Sequence, residues 1–363
     1  MEKCQISNCS INTMNLTCYM VLSSPTQKTG ITVLCSIVGI LCVLENSLVL
    51  FLIFASPKIR KKPSYLLISS LALADVLASI VFVCSFLDFH VLNRTDSSKE
   101  IFLLKLGGVN TSFTASLGSL LLMAFDRYVC IHRPSEYKVI VTRKRAVVAM
   151  AVVWIATMFT AFLPLMGWNC CKVNSTCSEL FPFIDSKYLS SWICLVMILL
   201  LCIVYAYVRV LWKAHKHTVY MEKHQTQAGQ RNAKMRMDIT LAKTLVMVLA
   251  IVVTCWSPVL ALMTYSLFVS LNDQIRKGFA FCSTLCLVNS MVNPIVYALR
   301  SRELRSSLRN TSSRFRKKVS ISEITPEADS IQKSSQIETI CDDTPWTWAP
   351  SSRDLPSPSV PEL

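Results

Sequence analysis

The sequence predicts an all-α membrane protein, a seven-transmembrane helix bundle with a short amphipathic helix after the seventh span. Apolar residues make up 52% of the 363-residue chain and charged residues only 16%, against about 25% charged in an average soluble domain. The apolar residues gather into stretches near the length of about 20 residues that a membrane span needs. Seven such stretches lie at 31–55, 65–90, 102–130, 146–167, 188–212, 239–268 and 279–299.

Basic residues predict the orientation of these spans. The amino terminus and alternate loops hold a minority of the 37 lysines and arginines, and the side rich in these residues is normally cytosolic. We therefore expect a multi-pass plasma-membrane protein with an extracellular amino terminus (1–28), a helical domain (29–311) and a disordered cytoplasmic tail (312–363). Lipid of the inner leaflet accounts for the net charge of +15 without any nucleic acid. The glycosylation signals on the outer side agree with this orientation and begin at Asn8, Asn15, Asn93 and Asn174.

Six of the 16 cysteines are predicted to face the oxidising outer side, where they can form disulfides. They are Cys4, Cys9, Cys18, Cys170, Cys171 and Cys177. The last three lie so close together that one short closed loop is plausible, with one thiol left over.

Polar residues inside the third and seventh apolar stretches are costly in a bilayer and predict a function beyond anchoring. The third stretch closes on Asp126-Arg127-Tyr128. Arg127 can extend to the membrane surface, pair with Asp126, or reach an acid on another helix. Asp238, at the cytosolic start of the sixth span, is the natural candidate for that acid, and breaking such a pair would free the helix end to move.

Asp75 is the one acid deep within a predicted span. An unpaired carboxylate there would either take up a proton or find a cation. Oxygen and nitrogen donors occur in other spans, at Ser116, Asn289, Asn293 and Asn46. Two interpretations stay open: a hydrated sodium site built on Asp75, Ser116 and Asn289, or a polar cluster without an ion.

Two prolines predict hinges. Pro258 follows Trp256 in the sixth span and Pro294 interrupts the seventh, and each removes a backbone hydrogen bond from its helix. Trp256 is positioned to sense a ligand and to pass a displacement to the hinge.

The outer halves of the spans predict an apolar, aromatic pocket. A pocket lined by aromatic rings with few polar groups suits a neutral, lipid-like molecule. Ser283, His90 and Lys105 are candidate hydrogen-bond partners. Aromatic residues of the outer halves and the second outer loop are Phe82, Phe86, Phe89, His90, Phe113, Phe181, Phe183, Tyr188, Trp192, Trp256, Phe279 and Phe281.

Three other classes of membrane protein fit poorly. A transporter or channel would show internal repeats or several charges at membrane depth, whereas Asp75 is the one predicted here. The motifs of metalloproteases, nucleophile-elbow hydrolases and phosphate-binding loops do not occur, so no enzyme is predicted. An opsin needs a lysine in the middle of the seventh span, and Lys277 lies at the outer end.

The ordered set of motifs resembles the rhodopsin-like (class A) G-protein-coupled receptors. The matching residues are Asn46, Asp75, Asp126-Arg127-Tyr128, Trp154, Cys255-Trp256-Ser257-Pro258 and the Asn-Pro-x-x-Tyr motif of 293–297. Longer strings, such as Arg-Lys-Lys-Pro-Ser-Tyr-Leu at 60–66 and Leu-Pro-Leu-Met-Gly-Trp at 163–168, are similar to the cannabinoid receptors. The short amino terminus resembles the branch of that family without a long leader. Ser257 and Asn110 depart from the pattern, since the family has Phe or Gly and Thr there.

The resemblance implies a receptor for the lipids 2-arachidonoylglycerol and arachidonoyl ethanolamide that couples to inhibitory Gi/o proteins and lowers adenylate cyclase activity. The alternative is a class A receptor for another neutral lipid mediator. Arrestin and receptor kinases would act on the tail, and no cofactor is implied beyond the candidate sodium ion. The implied ligand contacts are Phe82, Phe86, His90, Val109, Asn110, Phe113, Phe181, Trp192, Trp256, Phe279 and Ser283.

The resemblance also implies how a signal crosses the membrane. Phe113 stacked near Trp256 would be the switch that moves the sixth helix outward. Tyr207 and Tyr297 would then swing towards Arg127 and open a cleft for the G protein. On the outer side, it implies a disulfide between Cys170 and Cys177.

Overall fold

The computed structural model describes residues 19, 22, 24–92, 98–133, 135–224, 228–300, 304–309, 311 and 313. The side chains of residues 90, 214, 217–245 and 297–300 lie outside this description. The chain separates into two units, Met1–Arg309 and Asn310–Leu363, and almost all of the second unit lies outside the described residues.

Eleven helices account for nearly all of the described chain. They are α1 (Pro25–Ala55), α2 (Pro57–Arg60), α3 (Pro63–His90), α4 (Lys99–His132), α5 (Tyr137–Ile140), α6 (Arg143–Met166), α7 (Cys170–Val173), α8 (Ser186–His224), α9 (Ala228–Ser266), α10 (Asp273–Ser283) and α11 (Leu285–Arg300).

The predicted fold class is confirmed. Among the described residues, seven helical segments are long and apolar enough to cross a membrane. These segments belong to α1, α3, α4, α6, α8 and α9, with α10 and α11 together forming the seventh. A short helical segment at 304–309 follows the seventh span, and Leu304 in it is buried against the core of the bundle.

The end of the fifth span and the beginning of the sixth differ from the prediction. The polar stretch 213–237 lies between the predicted fifth and sixth spans, 188–212 and 239–268, whereas α8 continues to His224 and α9 begins at Ala228. Backbone hydrogen bonds within a helix need no apolar side chains, and this stretch contains no proline to interrupt them. Hydropathy therefore marked where the bilayer ends rather than where the helices end.

The seventh span is divided at Thr284. It begins at Asp273, where the side chain of Asn272 caps the helix by accepting a hydrogen bond from the Ile275 amide at 2.8 Å. The Thr284 hydroxyl donates to the Phe281 carbonyl at 2.6 Å, at the junction between α10 and α11. The outer and inner halves of this span are thus separate helical segments.

Small residues on α4 let it pack closely against α6. A Cβ atom on Gly107 would lie 2.6 Å from the Phe162 ring, and one on Gly118 would lie 2.6 Å from a Val153 methyl. Neither position therefore has room for a larger side chain, which is typical of helix contacts inside membranes. Hydrogen bonds join the same helices to α3. The Trp154 indole of α6 donates to the Ser70 hydroxyl of α3 at 3.0 Å, and that hydroxyl lies 3.0 Å from the Ser119 hydroxyl of α4.

The second outer loop is held by a disulfide. Cys170 and Cys177 are bonded with their Cα atoms 5.2 Å apart, the pairing implied by the resemblance. Asp185 is fully buried at the base of the loop, where it accepts hydrogen bonds from the Trp168 indole at 3.1 Å and the Lys187 amide at 2.8 Å. The loop is therefore a fixed surface above the bundle.

Candidate functional site

The outer halves of the helices enclose a cavity whose wall is mainly apolar. Ten of the eleven side chains predicted to contact a ligand line it: Phe82, Phe86, Val109, Asn110, Phe113, Phe181, Trp192, Trp256, Phe279 and Ser283. The side chain of His90 lies outside the described residues. Of the other aromatics expected in the outer halves, Phe183, Tyr188 and Phe281 do not line the cavity. Phe183 packs on Phe102, Tyr188 on Trp168, and Phe281 is 39% exposed.

A continuous row of aromatic rings runs along the cavity wall to the sixth span. Phe82 stacks on Phe86 at 5.3 Å between ring centroids and meets Phe113 edge-on at 5.7 Å. Phe113 in turn meets Trp256 at 5.9 Å with the two planes perpendicular. Such edge-to-face pairs are favourable by about 0.5–1.5 kcal/mol beyond the buried area. A displacement of Phe82 by a ligand can therefore reach Trp256 of α9 through Phe113. A displacement of Phe86 would pass through Phe82 first.

Few polar groups interrupt this wall. Asn110 lies within hydrogen-bonding reach of the Tyr188 hydroxyl, which itself donates to the Thr160 carbonyl at 3.1 Å. The Ser283 hydroxyl donates to the Ala280 carbonyl at 2.8 Å, so its oxygen can still accept a hydrogen bond from a ligand. Lys105, a predicted ligand partner, lines the cavity and forms an ion pair with Asp88.

Two indole groups in the wall are unsatisfied donors within the described part of the chain. The Nε1 atoms of Trp192 and Trp256 are buried and have no hydrogen-bond partner there. An indole nitrogen is a donor only, and leaving it unpaired when buried costs about 1–3 kcal/mol. A ligand oxygen that reached either atom would recover that free energy.

The outer side of the cavity is covered by residues that sequence reasoning missed. Tyr19 lines the cavity and donates a hydrogen bond to the Ser178 carbonyl at 3.1 Å. Glu179 accepts from the Leu271 amide at 2.6 Å and lies 3.7 Å from the Arg276 guanidinium. Tyr19 and Leu22 are both buried although they belong to the predicted extracellular amino terminus, 1–28. The signal for this was available: residues 19–22 are a run of four apolar or aromatic side chains shortly before the first span.

Burial raises the pKa of Tyr19 to about 12, with Arg276 acting in the opposite direction. The tyrosine hydroxyl is therefore protonated throughout the physiological range and remains a hydrogen-bond donor to the loop. Protonation changes near neutral pH do not open this contact.

Below the cavity, Asp75 is fully buried and ties three spans together. One carboxylate oxygen accepts hydrogen bonds from Ser116 at 2.7 Å and Ser290 at 2.8 Å, and the other accepts from Asn293 at 2.8 Å. Sequence reasoning missed Ser290, which lies between the two asparagines it did select. Asn46 donates to the Cys42 carbonyl at 2.9 Å and to the Ser290 carbonyl at 3.2 Å, which adds α1 to the cluster.

The polar cluster retains unused oxygen acceptors. The side-chain oxygens of Asn46 and Asn289 are buried and have no hydrogen-bond donor among the described residues. No cluster of three His, Cys, Asp or Glu side chains suited to a metal ion occurs in the described part of the chain. A carboxylate, hydroxyls and amide oxygens are the hard donors that an alkali cation accepts, so the residue types fit the predicted sodium ion.

At the end of α4 that was predicted to be cytosolic, Arg127 binds its neighbour Asp126. The guanidinium donates to the Asp126 carboxylate at 2.5 Å and to the Ser64 hydroxyl at 2.9 Å. The Tyr137 hydroxyl donates to the other carboxylate oxygen at 2.7 Å. Sequence reasoning missed Ser64 and Tyr137, which reach the site from α3 and α5. The side chain of Asp238 lies outside the described residues, so the predicted contact with α9 stays a prediction.

The remaining predicted switch residues lie on the expected helices. Tyr207 is buried in α8 with 3% of its side chain exposed. Pro258 and Pro294 lie inside α9 and α11. Tyr297 belongs to α11, and its side chain is outside the described residues.

Comparison with known proteins agrees with this architecture. Residues 45–297 match the family model of the 7 transmembrane receptor (rhodopsin family). The chain is 52% identical to the human protein named cannabinoid receptor 2 over 341 residues, covering 93% of this chain and 92% of that one. It is 54% identical to cannabinoid receptor 2 of Mus musculus, covering 80% and 82%. It is 52% identical to cannabinoid receptor 1 of Taricha granulosa, covering 82% of this chain and 65% of that protein.

The chain therefore belongs to the rhodopsin family of seven-transmembrane receptors, which are not enzymes. Within that family it belongs to the cannabinoid receptors, and the match extends over nearly the full length of the human type 2 receptor. The family resemblance predicted from the motifs is confirmed.

The contact between Tyr137 and Asp126 is testable. Tyr137→Phe removes a donor to a buried carboxylate, a bond worth about 1.5–3 kcal/mol. We expect the pair of Asp126 and Arg127 to loosen and basal nucleotide exchange on a purified G protein to rise up to about tenfold, since 1.4 kcal/mol is a factor of ten.

Tyr205→Phe is the matched control, because that ring is 63% exposed on the surface of α8. Basal exchange is measured with labelled nucleotide at equal receptor concentration. An equal rise in both variants, or none in Tyr137→Phe, contradicts a restraining role for the Tyr137 hydroxyl.

Proposed function

We propose that this protein is a plasma-membrane receptor for the endocannabinoid lipids 2-arachidonoylglycerol and arachidonoyl ethanolamide, and that it signals through inhibitory Gi/o proteins. The observation that carries the proposal is an aromatic cavity that ends on Trp256 of the sixth span. Similarity to receptors named for cannabinoids supports the ligand class.

The chemistry of the wall supports a neutral lipid. Phenylalanine and tryptophan rings offer apolar surface to an acyl chain, and burial contributes about 25 cal/mol per Å². Val109 provides no charge for an ammonium group, and Lys105 is occupied by Asp88. The indole nitrogens of Trp192 and Trp256 and the Ser283 oxygen can pair with the hydroxyl or carbonyl groups of a small polar head.

Activation follows from differential binding. An agonist shifts the receptor only by the difference between its affinities for the two states. A ligand that displaces the Phe113 ring changes its edge-on contact with Trp256, two residues before Pro258 in α9. The proline leaves the helix without one backbone hydrogen bond, so bending is least costly there. We infer that the cytosolic half of α9 then moves outward.

The contacts of Arg127 at the cytosolic end differ between the inactive and the active state. In the inactive arrangement Arg127 is held by Asp126 and Ser64. In the active arrangement Tyr207 and Tyr297 approach Arg127, and the cleft accepts a Gi/o protein that lowers adenylate cyclase activity. The basic cytosolic side agrees with this orientation, in which the amino terminus is extracellular and Asn174 is an exposed glycosylation acceptor.

Two further elements belong to the same proposal. The Ser- and Thr-rich tail at 312–363 would take phosphate from receptor kinases and then bind arrestin, since phosphate adds negative charge for a basic groove. A sodium ion at Asp75, Ser116 and Asn289 would stabilise the inactive state, drawing on the buried Asn289 oxygen that lacks a donor among the described residues. Ser290 would be a further oxygen donor.

Cyclic AMP in cells expressing the chain tests the coupling. We expect 2-arachidonoylglycerol to lower forskolin-raised cyclic AMP, and pertussis toxin to abolish the effect. Arg127→Ala should abolish it while leaving ligand binding intact, because Arg127 lies at the cytosolic end. Surface-expressed protein that neither binds nor responds would refute the ligand assignment and favour another neutral lipid mediator.

The aromatic row predicts which residues carry affinity. Phe113→Ala removes two edge-on ring contacts and buried apolar area. We expect it to cost about 3 kcal/mol or more of interaction free energy, and agonist affinity to fall roughly a hundredfold. Phe281→Ala is the matched control, because that ring is partly exposed and does not line the cavity. Radioligand competition measures both, and equal losses would contradict the assigned cavity.

Sodium dependence distinguishes the two interpretations of Asp75. If an ion binds there, replacing potassium by sodium lowers agonist affinity in membranes of the unmodified receptor, and Asp75→Asn abolishes the difference. A receptor insensitive to sodium before the substitution supports the polar cluster without an ion. Ser191→Ala, which removes an exposed hydroxyl of α8 that donates to the Lys187 carbonyl, serves as the control variant.

A further inference from the structure

The wall of the cavity contains a short chain of hydrogen bonds that begins at the backbone of α6. The Tyr188 hydroxyl donates its single hydrogen to the Thr160 carbonyl at 3.1 Å. Its oxygen can then only accept, and the side chain of Asn110 lies within hydrogen-bonding reach of it. The amide of Asn110 must therefore turn its N–H group, and not its oxygen, towards Tyr188.

This contact makes the amide oxygen of Asn110 an acceptor with a fixed direction. The oxygen is on the other branch of the amide from the nitrogen, so it lies away from Tyr188. Asn110 is half-buried and lines the cavity, and no donor to its oxygen occurs in the described part of the chain. Turning the amide over would break the bond to Tyr188, so the oxygen stays available to a ligand.

Trp192 places a donor near this acceptor. It lies four residues after Tyr188 in α8, and side chains at that spacing are neighbours on a helix. Trp192 lines the cavity, and its Nε1 atom is buried without a hydrogen-bond partner among the described residues. Where α4 packs against α8, the wall thus offers one acceptor from Asn110 and one donor from Trp192.

The other polar groups that could bind a neutral head are less definite. Ser85 lines the cavity, and a hydroxyl can either donate or accept. The Ser283 hydroxyl donates to the α10 backbone, and rotation about one bond would turn its hydrogen to a ligand. Trp256 is a second unpaired donor within the described chain, but only 2% of its side chain is exposed, against 8% for Trp192. Asn110 and Trp192 are therefore the pair whose roles the protein itself sets.

We propose that the polar head of the bound lipid lies between Asn110 and Trp192, and that this head must carry a hydrogen-bond donor close to a carbonyl oxygen. The donor binds the amide oxygen of Asn110, and the carbonyl accepts from the Trp192 indole. Glycerol esters with free hydroxyl groups and acyl ethanolamides meet this requirement, whereas lipids whose hydroxyl groups are all capped do not. The inference rests on the proposed lipid ligand and adds the place and the polarity of its head.

The place of the head also assigns the place of the acyl chain. Aromatic rings elsewhere in the wall come from other elements, with Phe82 and Phe86 on α3 and Phe279 on α10. Phe181 of the second outer loop meets Phe279 edge-on at 5.6 Å. These rings offer apolar area without hydrogen-bonding groups, which suits a hydrocarbon chain. The acyl chain therefore extends from α4 and α8 towards α3 and α10.

A paired change in ligand and receptor tests the contact with Asn110. The ligands are 2-arachidonoylglycerol and its di-O-methyl ether, which keeps the carbonyl and loses both donors. Competition against tritiated arachidonoyl ethanolamide in membranes containing the full chain gives the two affinities. We expect methylation to lower affinity about tenfold in the unmodified receptor, the effect of one net hydrogen bond. In Asn110→Leu the two affinities should agree within about twofold, because the acceptor is gone.

Ser283→Ala is the matched control and should keep the preference for free hydroxyl groups, as should Ser85→Ala. Loss of the preference in either control, with the preference kept in Asn110→Leu, places the head elsewhere and overturns the proposal. Equal affinities of the two ligands for the unmodified receptor overturn it without any variant. Absence of binding by both ligands refutes the proposed lipid ligand, and this inference with it.

Tyr188 acts through Asn110 and is a positioning residue. Tyr188→Phe keeps the ring but removes the oxygen that holds the amide nitrogen, so either branch of the amide can face the ligand. We expect the preference for free hydroxyl groups to fall to about threefold or less, because the acceptor is then presented only part of the time. Affinity for the methylated ligand should not fall. A preference that stays at its original value shows that Tyr188 does not orient the amide, and it contradicts the proposal.

Removal of the donor tests the other half of the pair. Trp192→Phe keeps an aromatic ring and loses Nε1, so it should lower the affinity of both ligands by the same factor, roughly tenfold, because both contain the carbonyl. Trp212→Phe is the matched control, because that ring of α8 is 58% exposed and does not line the cavity. Unchanged affinity in Trp192→Phe, or a loss confined to the unmethylated ligand, contradicts the assigned carbonyl contact.

Discussion

The buried carboxylate of Asp75 is the constraint on which the rest of the bundle depends. A charged or polar group without partners inside a bilayer is costly, and no water from bulk solvent reaches a side chain with 0% exposure. Its oxygens are satisfied by hydroxyl and amide donors from α4 and α11. These bonds fix how α3, α4 and α11 are rotated about their own axes. Any rearrangement of the seventh span must therefore exchange these partners or replace one of them with a cation.

Above this polar centre, the bundle is held by contacts of a different kind. The rings of Phe82, Phe113 and Trp256 interact through area and shape, with no directional bond that specifies one arrangement. Such contacts can be repacked at low cost when a ligand adds its own surface. The aromatic layer can therefore deform, whereas the hydrogen-bonded layer around Asp75 below it is fixed. Pro258 lies inside α9, the helix that carries Trp256.

The outer cover explains how a cavity for an apolar ligand can exist at the aqueous face. Large apolar surfaces exposed to water are unfavourable, and here the loop around Cys170 and Cys177 is closed over them together with Tyr19. Glu179 ties this loop to the segment before α10 through the Leu271 amide. The polar groups of the cover therefore form hydrogen bonds with one another, and the cavity wall beneath them consists mainly of aromatic rings.

Local chemistry explains why much of this architecture was predictable. Hydropathy is a property of each stretch by itself, so the existence and order of the spans were predictable. The resemblance to a known family supplied the eleven side chains expected at the cavity, and ten of them line it. The need of Asp75 and Arg127 for partners was equally a local fact. The identity of those partners was not, because it depends on the rotation of one helix relative to another.

The tertiary structure alone decided that Ser290 joins Asn293 at Asp75, and that Tyr137 and Ser64 meet Asp126 and Arg127. It also decided that Tyr19 covers the cavity and that α8 and α9 continue past the predicted ends of their spans. The sequence by itself determined which groups require a partner, because the free energy of transferring a side chain into the bilayer depends on the type of that residue. Only the packed bundle determined which partner each group receives, because a hydrogen bond depends on distance and direction between atoms far apart in the chain.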